Sequence, residues 1–135
     1  MKKILALTSL IIVYSSVAAY SANPWRFIQR TGSQDIYLLE PSVQRSGSIV
    51  QFYWMYSGKK QIRSGTRREG YYNYMSSTSE TEVDCVTKKY RPNAARFYEG
   101  EMATKLVPEN SPRTRQWFDV EMSAGIKYLL PIVCR

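Results

Sequence analysis

Apolar and polar positions first alternate in short runs broken by turn residues, and the period then changes near the C-terminus. Residues 25–29 (WRFIQ) are rich in strand formers, and Thr31-Gly32-Ser33 reads as a turn. Residues 36–39 (IYLL) form a short second run stopped by Pro41, and Ser46-Gly47 marks another tight turn. The strongest strand signal is 49–56 (IVQFYWMY). Ile49, Gln51, Tyr53 and Met55 fall on one face, and Val50, Phe52, Trp54 and Tyr56 on the other. Both faces are largely apolar or aromatic, so the strand is expected to be central and covered on both sides. The row Val50, Phe52 and Trp54 reads either as core or as a dimer face. One expectation is a helix over one side of this strand and a second subunit over the other.

Residues 57–70 (SGKKQIRSGTRREG) read as a polar, glycine-punctuated connection. Strand character resumes at 71–75, is interrupted by 76–79, and returns at 82–90, a segment carrying Cys85. Arg91-Pro92-Asn93 reads as a turn, 94–98 and 101–107 as strands, 108–112 as a loop and 116–120 as a short extended stretch. The tail differs. Ser123 is a good helix N-cap, and Ile126, Leu129, Leu130 and Val133 follow at i, i+3, i+4 and i+7. Pro131 must loosen the last turn. The expected fold class is α+β: an antiparallel sheet of about six strands, with a C-terminal α-helix packed on one face and pinned by a disulfide.

The N-terminus sets the compartment. Met1-Lys2-Lys3 is a short positive segment, residues 4–13 are apolar, and Val17 and Ala19 supply the small residues of a cleavage site. This is the pattern of a secretory signal peptide over residues 1–19, with cleavage between 19 and 22. The apolar run is too short for the roughly 20 residues that a membrane span needs, and no Cys follows it, so lipidation is not expected. The protein is expected to be exported, periplasmic or secreted, able to associate with the cell surface but not a lipoprotein. The remainder, 20–135, carries 17 basic and 11 acidic residues. In an oxidising compartment its two cysteines, Cys85 and Cys134, are expected to pair.

Composition narrows the chemistry. The chain has no histidine, which excludes histidine triads, a histidine general base and imidazole-bound zinc. Glu99 and Glu101 flank Gly100, but nothing in the sequence fixes the separation that glycosidase chemistry requires. Asp84 beside Cys85 would raise a thiol pKa, the wrong direction for a reactive cysteine. No catalytic residue, metal or cofactor is expected. The candidate binding feature is basic and aromatic: Lys59, Lys60, Arg63, Arg67 and Arg68, followed by Tyr71 and Tyr72. Such a patch attracts acidic proteins or anionic glycans, and the tyrosines offer rigid contact area. The alternative is a solvated connection whose charges serve solubility. Export argues against nucleic acid as the partner.

The order of several short pieces resembles the bacterial surface-adhesin protein E-like family. These are Trp25-x-x-Ile28, Tyr37-Leu38, Ser42-Val43-x-Arg45-x-Gly47, Ile49-Val50-x-Phe52, Asp84-Cys85, Tyr90, Tyr98-x-Gly100, Trp117-x-x-Val120, Ser123 and Cys134. The resemblance spans residues 25–135 and implies a single domain with its helix held on the concave sheet face. It also implies a cell-envelope protein of a Gram-negative bacterium, a homodimer, and adhesion to host extracellular-matrix proteins. The alternative function is a structural or housekeeping envelope factor with no host ligand. Residues 57–70 match no motif of the family.

Overall fold

The computed structural model describes residues 23–66, 70–107 and 116–135, and gives the backbone alone for 64–66 and 70–72. The expected signal sequence lies outside the described residues. The strands are β1 (Trp25–Thr31), β2 (Gln34–Leu39), β3 (Gln44–Ser46), β4 (Ile49–Thr66), β5 (Gly70–Asp84), β6 (Lys89–Tyr98) and β7 (Phe118–Asp119), and one helix follows, α1 (Ala124–Val133). The strands form one antiparallel sheet in the order β1-β2-β4-β5-β6-β7, with β3 added on β4. The α+β expectation holds, with the helix on one face.

The core lies between that face and α1. Ile36, Leu38, Val50, Phe52 and Val83 project from β2, β4 and β5 and meet Ile126, Leu129 and Val133 of the helix. Leu130 packs at the margin. The helical stripe read from the sequence is therefore the buried stripe. Ser123 caps the helix, its Oγ accepting from the Ile126 N–H at 3.3 Å. Pro131 sits inside the last turn, where the helix is about to end. Cys85 and Cys134 are bonded, with Cα atoms 5.6 Å apart. Closing a loop of 49 residues restricts the unfolded chain by on the order of 4 kcal/mol in the chain-entropy account.

Several local expectations are corrected. Residues 57–70 are not a connection: β4 continues to Thr66 and pairs with β5 out to Thr66↔Gly70, with one irregularity between Ser57 and Ile62. Residues 76–79 do not interrupt β5, because each pairs with both β4 and β6; Ser76 is fully buried under the loop that follows β6. The strand expected over 82–90 breaks at Asp84. The Asp84 carboxylate accepts from the Val86 and Thr87 N–H groups at 2.9 and 3.3 Å and closes a turn that presents Cys85. Arg91-Pro92-Asn93 stays within β6, where a register shift opposite Glu80 and Thr81 absorbs the proline.

Residues 101–107 do not form a strand. Met102, Ala103 and Lys105 take left-handed backbone angles, with φ of 52°, 58° and 59°. The resulting loop folds over the sheet face opposite α1. The Met102 N–H donates to Ser57 Oγ at 2.9 Å and the Ala103 N–H to Ser76 Oγ at 3.0 Å. Ser76 Oγ in turn donates to the Gly100 carbonyl at 2.5 Å.

Candidate functional site

Two positions of close packing frame the sites. At Gly125 a Cβ would lie 2.4 Å from Trp54 and 2.5 Å from the Tyr56 hydroxyl, so only glycine lets the first turn of α1 rest on this pair. The two rings meet edge to face, 4.7 Å between centroids, and the Trp54 indole N–H donates to Thr81 Oγ1 at 2.9 Å. Burial pushes the Tyr56 phenol up, partly offset by hydrogen bonding from the Gly125 backbone and from Ser123. At Gly58 a Cβ would meet the Ser33 carbonyl at 2.7 Å, which brings the β1–β2 turn against β4.

Of the two readings of the row Val50, Phe52 and Trp54, core or dimer face, the structure favours core. Val50, Phe52 and Trp54 are 1%, 0% and 7% exposed, covered by α1 of the same chain. The other face of β4 is covered in part by the loop over Ser57 and Ser76, and Met55 is fully buried there. The two-sided apolar character of 49–56 thus has an explanation within one chain.

The basic segment occupies an arm. The last pairing of β2 with β4 is Gln34↔Gly58, and the last of β6 with β5 is Ser76↔Tyr98. Beyond these points β4 and β5 pair only with each other among the described residues, a two-stranded extension of about 25 Å at ~3.3 Å per residue. Tyr74 stacks edge to face on Phe97 of β6 at 4.9 Å and braces its base.

Lys59 and Lys60 are exposed at that base. They line a cavity of about 380 Å³ with Arg30, Asp35, Tyr37 and Glu101. Within it Arg30 Nε donates to Asp35 at 2.8 Å. This hydrogen bond, with a smaller contribution from the Lys59 charge, holds the Asp35 carboxyl below its usual range against the opposing effect of burial.

Arg63 is exposed farther along the arm, in register with Asn73. Arg67 and Arg68 lie outside the described residues. Tyr71 and Tyr72 stand on β5 opposite Gly65 and Ser64, where the backbone alone is described. The structure therefore brings Lys59 and Lys60 together with Arg30, a residue the sequence reading did not single out. Only the β2–β4 register places Arg30 and Asp35 beside them.

A second feature escaped the sequence reading. On the sheet face away from α1, Trp25, Leu39, Tyr53, Glu80, Arg96 and Tyr98 line a groove of about 480 Å³. The Tyr53 hydroxyl donates to Glu80 at 3.0 Å, and the Gln51 amide donates to the other Glu80 oxygen. Burial, then the bond to Glu80, pushes the Tyr53 phenol up. The signal was present as alternation in 51–55 and 78–82, but their mutual register was not.

Among the described residues, no helix is long and apolar enough to cross a membrane. Residues 25–135 match the family model for surface-adhesin protein E. Among solved structures, crystal form II of Haemophilus influenzae protein E superposes with a TM-score of 0.59 at 13% identity, covering 84% of this chain and 88% of that one. Protein E from non-typeable Haemophilus influenzae gives 0.55 at 14% identity, covering 80% and 74%. At these identities the likeness is one of fold. No curated protein sequence matches.

Proposed function

Because this chain belongs to the surface-adhesin protein E family, we propose that it is an exported, non-enzymatic binding protein of the bacterial cell envelope that takes a protein or anionic glycan partner on its basic arm. The carrying observation is the arm. An isolated two-stranded hairpin is marginally stable on its own, yet this one leaves the sheet with Lys59, Lys60 and Arg63 exposed along it. The sequence adds Arg67 and Arg68 between its two strands. A clustered positive charge on a projecting element draws anionic surfaces by long-range attraction. Host extracellular matrix, rich in anionic glycans and acidic proteins, is the partner class this reading favours.

The test is a solid-phase panel of matrix proteins, heparin and lipopolysaccharide, run with the exported protein and paired with fractionation of the source cells. Recovery at the cell surface or in the medium, with saturable binding to a matrix protein or heparin, supports the reading. A protein confined to the periplasm that binds none of the panel is instead an envelope factor with no host ligand.

A further inference from the structure

The groove opposite α1 contains two opposite charges that do not neutralise each other. Glu80 is partly buried on β5, and its two oxygens are held by neutral donors, the Tyr53 hydroxyl and the Gln51 amide. Among the described residues no cationic side chain reaches ion-pair distance of it. Arg96 of β6 stands opposite Thr78, one same-face position along from the Glu80↔Ala94 pair. It is exposed and makes no hydrogen bond or ion pair among the described residues. Around these charges stand Trp25, Tyr53 and Tyr98, contributed by three different strands. Thr78 Oγ1 and the Tyr98 hydroxyl are 3.3 Å apart, so the polar floor is internally bonded before any ligand arrives.

We propose that this groove binds a small zwitterion whose cationic end is a quaternary ammonium and whose other end is a phosphate or carboxylate. Aromatic faces carry negative quadrupole charge and attract a cation, most strongly one that is easily desolvated. A primary ammonium must find up to three acceptors when it leaves water. Here Glu80 already accepts from Tyr53 and Gln51, so few acceptor positions remain. A methylated ammonium needs none and receives both the ring attraction and the Glu80 charge. Arg96 then supplies the planar donor that suits an anionic group at the other end. The volume lies within the range of small-molecule sites, roughly 300–1,000 Å³. The site uses none of the arm residues, so it stands or falls independently of the reading above.

Calorimetric titration of the full exported chain tests this with phosphocholine, glycine betaine, choline and glycine as probes. Phosphocholine and betaine should bind saturably, and glycine should bind at least about tenfold more weakly. Glu80→Gln should weaken phosphocholine and choline alike. Arg96→Gln, an exposed change with no effect expected on folding, should weaken phosphocholine about tenfold and leave choline unchanged. Tyr53→Phe, which keeps the ring, should bind far better than Tyr53→Ala. Co-sedimentation with phosphatidylcholine vesicles would place the ligand on a lipid; binding of free phosphocholine without it would place the ligand in soluble or polymer-borne form. Absence of heat with both zwitterions at tens of millimolar, roughly the weak end of specific recognition, would overturn the proposal. So would an Arg96→Gln variant that binds phosphocholine as the wild type does.

Discussion

Single residues govern how α1 meets the sheet. Gly125 has no room for a methyl group, because both Trp54 and the Tyr56 hydroxyl occupy that space. Gly125→Ala should destabilise the domain by about 1–3 kcal/mol, the usual cost of overpacking, and thermal melting should show a clearly lower Tm. A variant that melts with the wild type would mean that the helix start can lift off Trp54 at no cost. Asp84 offers a pH-dependent test. Backbone N–H donation, first from Val86, lowers its pKa in the folded protein. Its contribution is therefore present above the unfolded value near ~3.9 and is lost as pH falls through the lowered folded value. Asp84→Asn should lower the neutral Tm and flatten the acid limb of a Tm-against-pH curve below about pH 4, where the wild type has already lost the contribution. Neither role was legible in the sequence. A glycine two positions after the helix cap carries no local signal of what packs against it, and Asp84 beside Cys85 points first to an effect on a thiol that the disulfide consumes.

Elements were legible where one local signal dominated. The helix followed from its cap and its four-residue stripe, and β1 and β2 from strand formers bounded by Gly and Pro. Three of the misread segments, 57–70, 76–79 and 91–93, share a cause: long-range pairing overrode local punctuation. Gly58, Gly65 and the five serines from 57 to 79 look like loop residues, yet Gly58 pairs with Gln34 of β2 and the others have partners in the β4–β5 ladder. Pro92 looks like a turn residue, yet a register shift accommodates it. Strand propensity is weak beside such context. At this scale the disulfide and helix packing can be separated. Cys134→Ala should lower Tm by well over ~4 °C, because the unfolded chain regains the freedom of a long loop. Leu129→Ala, which leaves the disulfide intact, should cost about 2–5 kcal/mol, since Leu129 is fully buried. Equal Tm values for Cys134→Ala and wild type, measured by circular dichroism, would show that the apolar stripe alone holds α1.

At the scale of the whole molecule, the fold was accessible because the order of short motifs from Trp25 to Cys134 resembles the family whose model matches residues 25–135, although the solved protein E structures share only 11–14% identity with this chain. The candidate sites were less so. The basic cluster was visible as composition, but its standing on a projecting arm depends on where β2 and β6 stop pairing. The groove at Glu80 depends on a register between β4, β5 and β6 that no single segment encodes. The row Val50, Phe52 and Trp54 shows the same limit: its apolarity was plain, but whether helix or subunit covers it is a property of the assembled chain.

The most direct measurement is a salt series of heparin binding by the exported protein and by a variant carrying Lys59→Ser, Lys60→Ser, Arg67→Ser and Arg68→Ser. If the arm takes anionic partners, wild-type affinity should fall steeply as salt shortens the screening length from ~10 Å at 0.1 M towards ~3 Å at 1 M. The variant should lose most of the binding and most of the salt slope. Its Tm should stay within about a degree or two of wild type, because Lys59 and Lys60 are exposed and charges in contact with water contribute little to stability. A variant that binds heparin with the wild-type affinity and slope would contradict the account and leave the arm's charges to solubility alone.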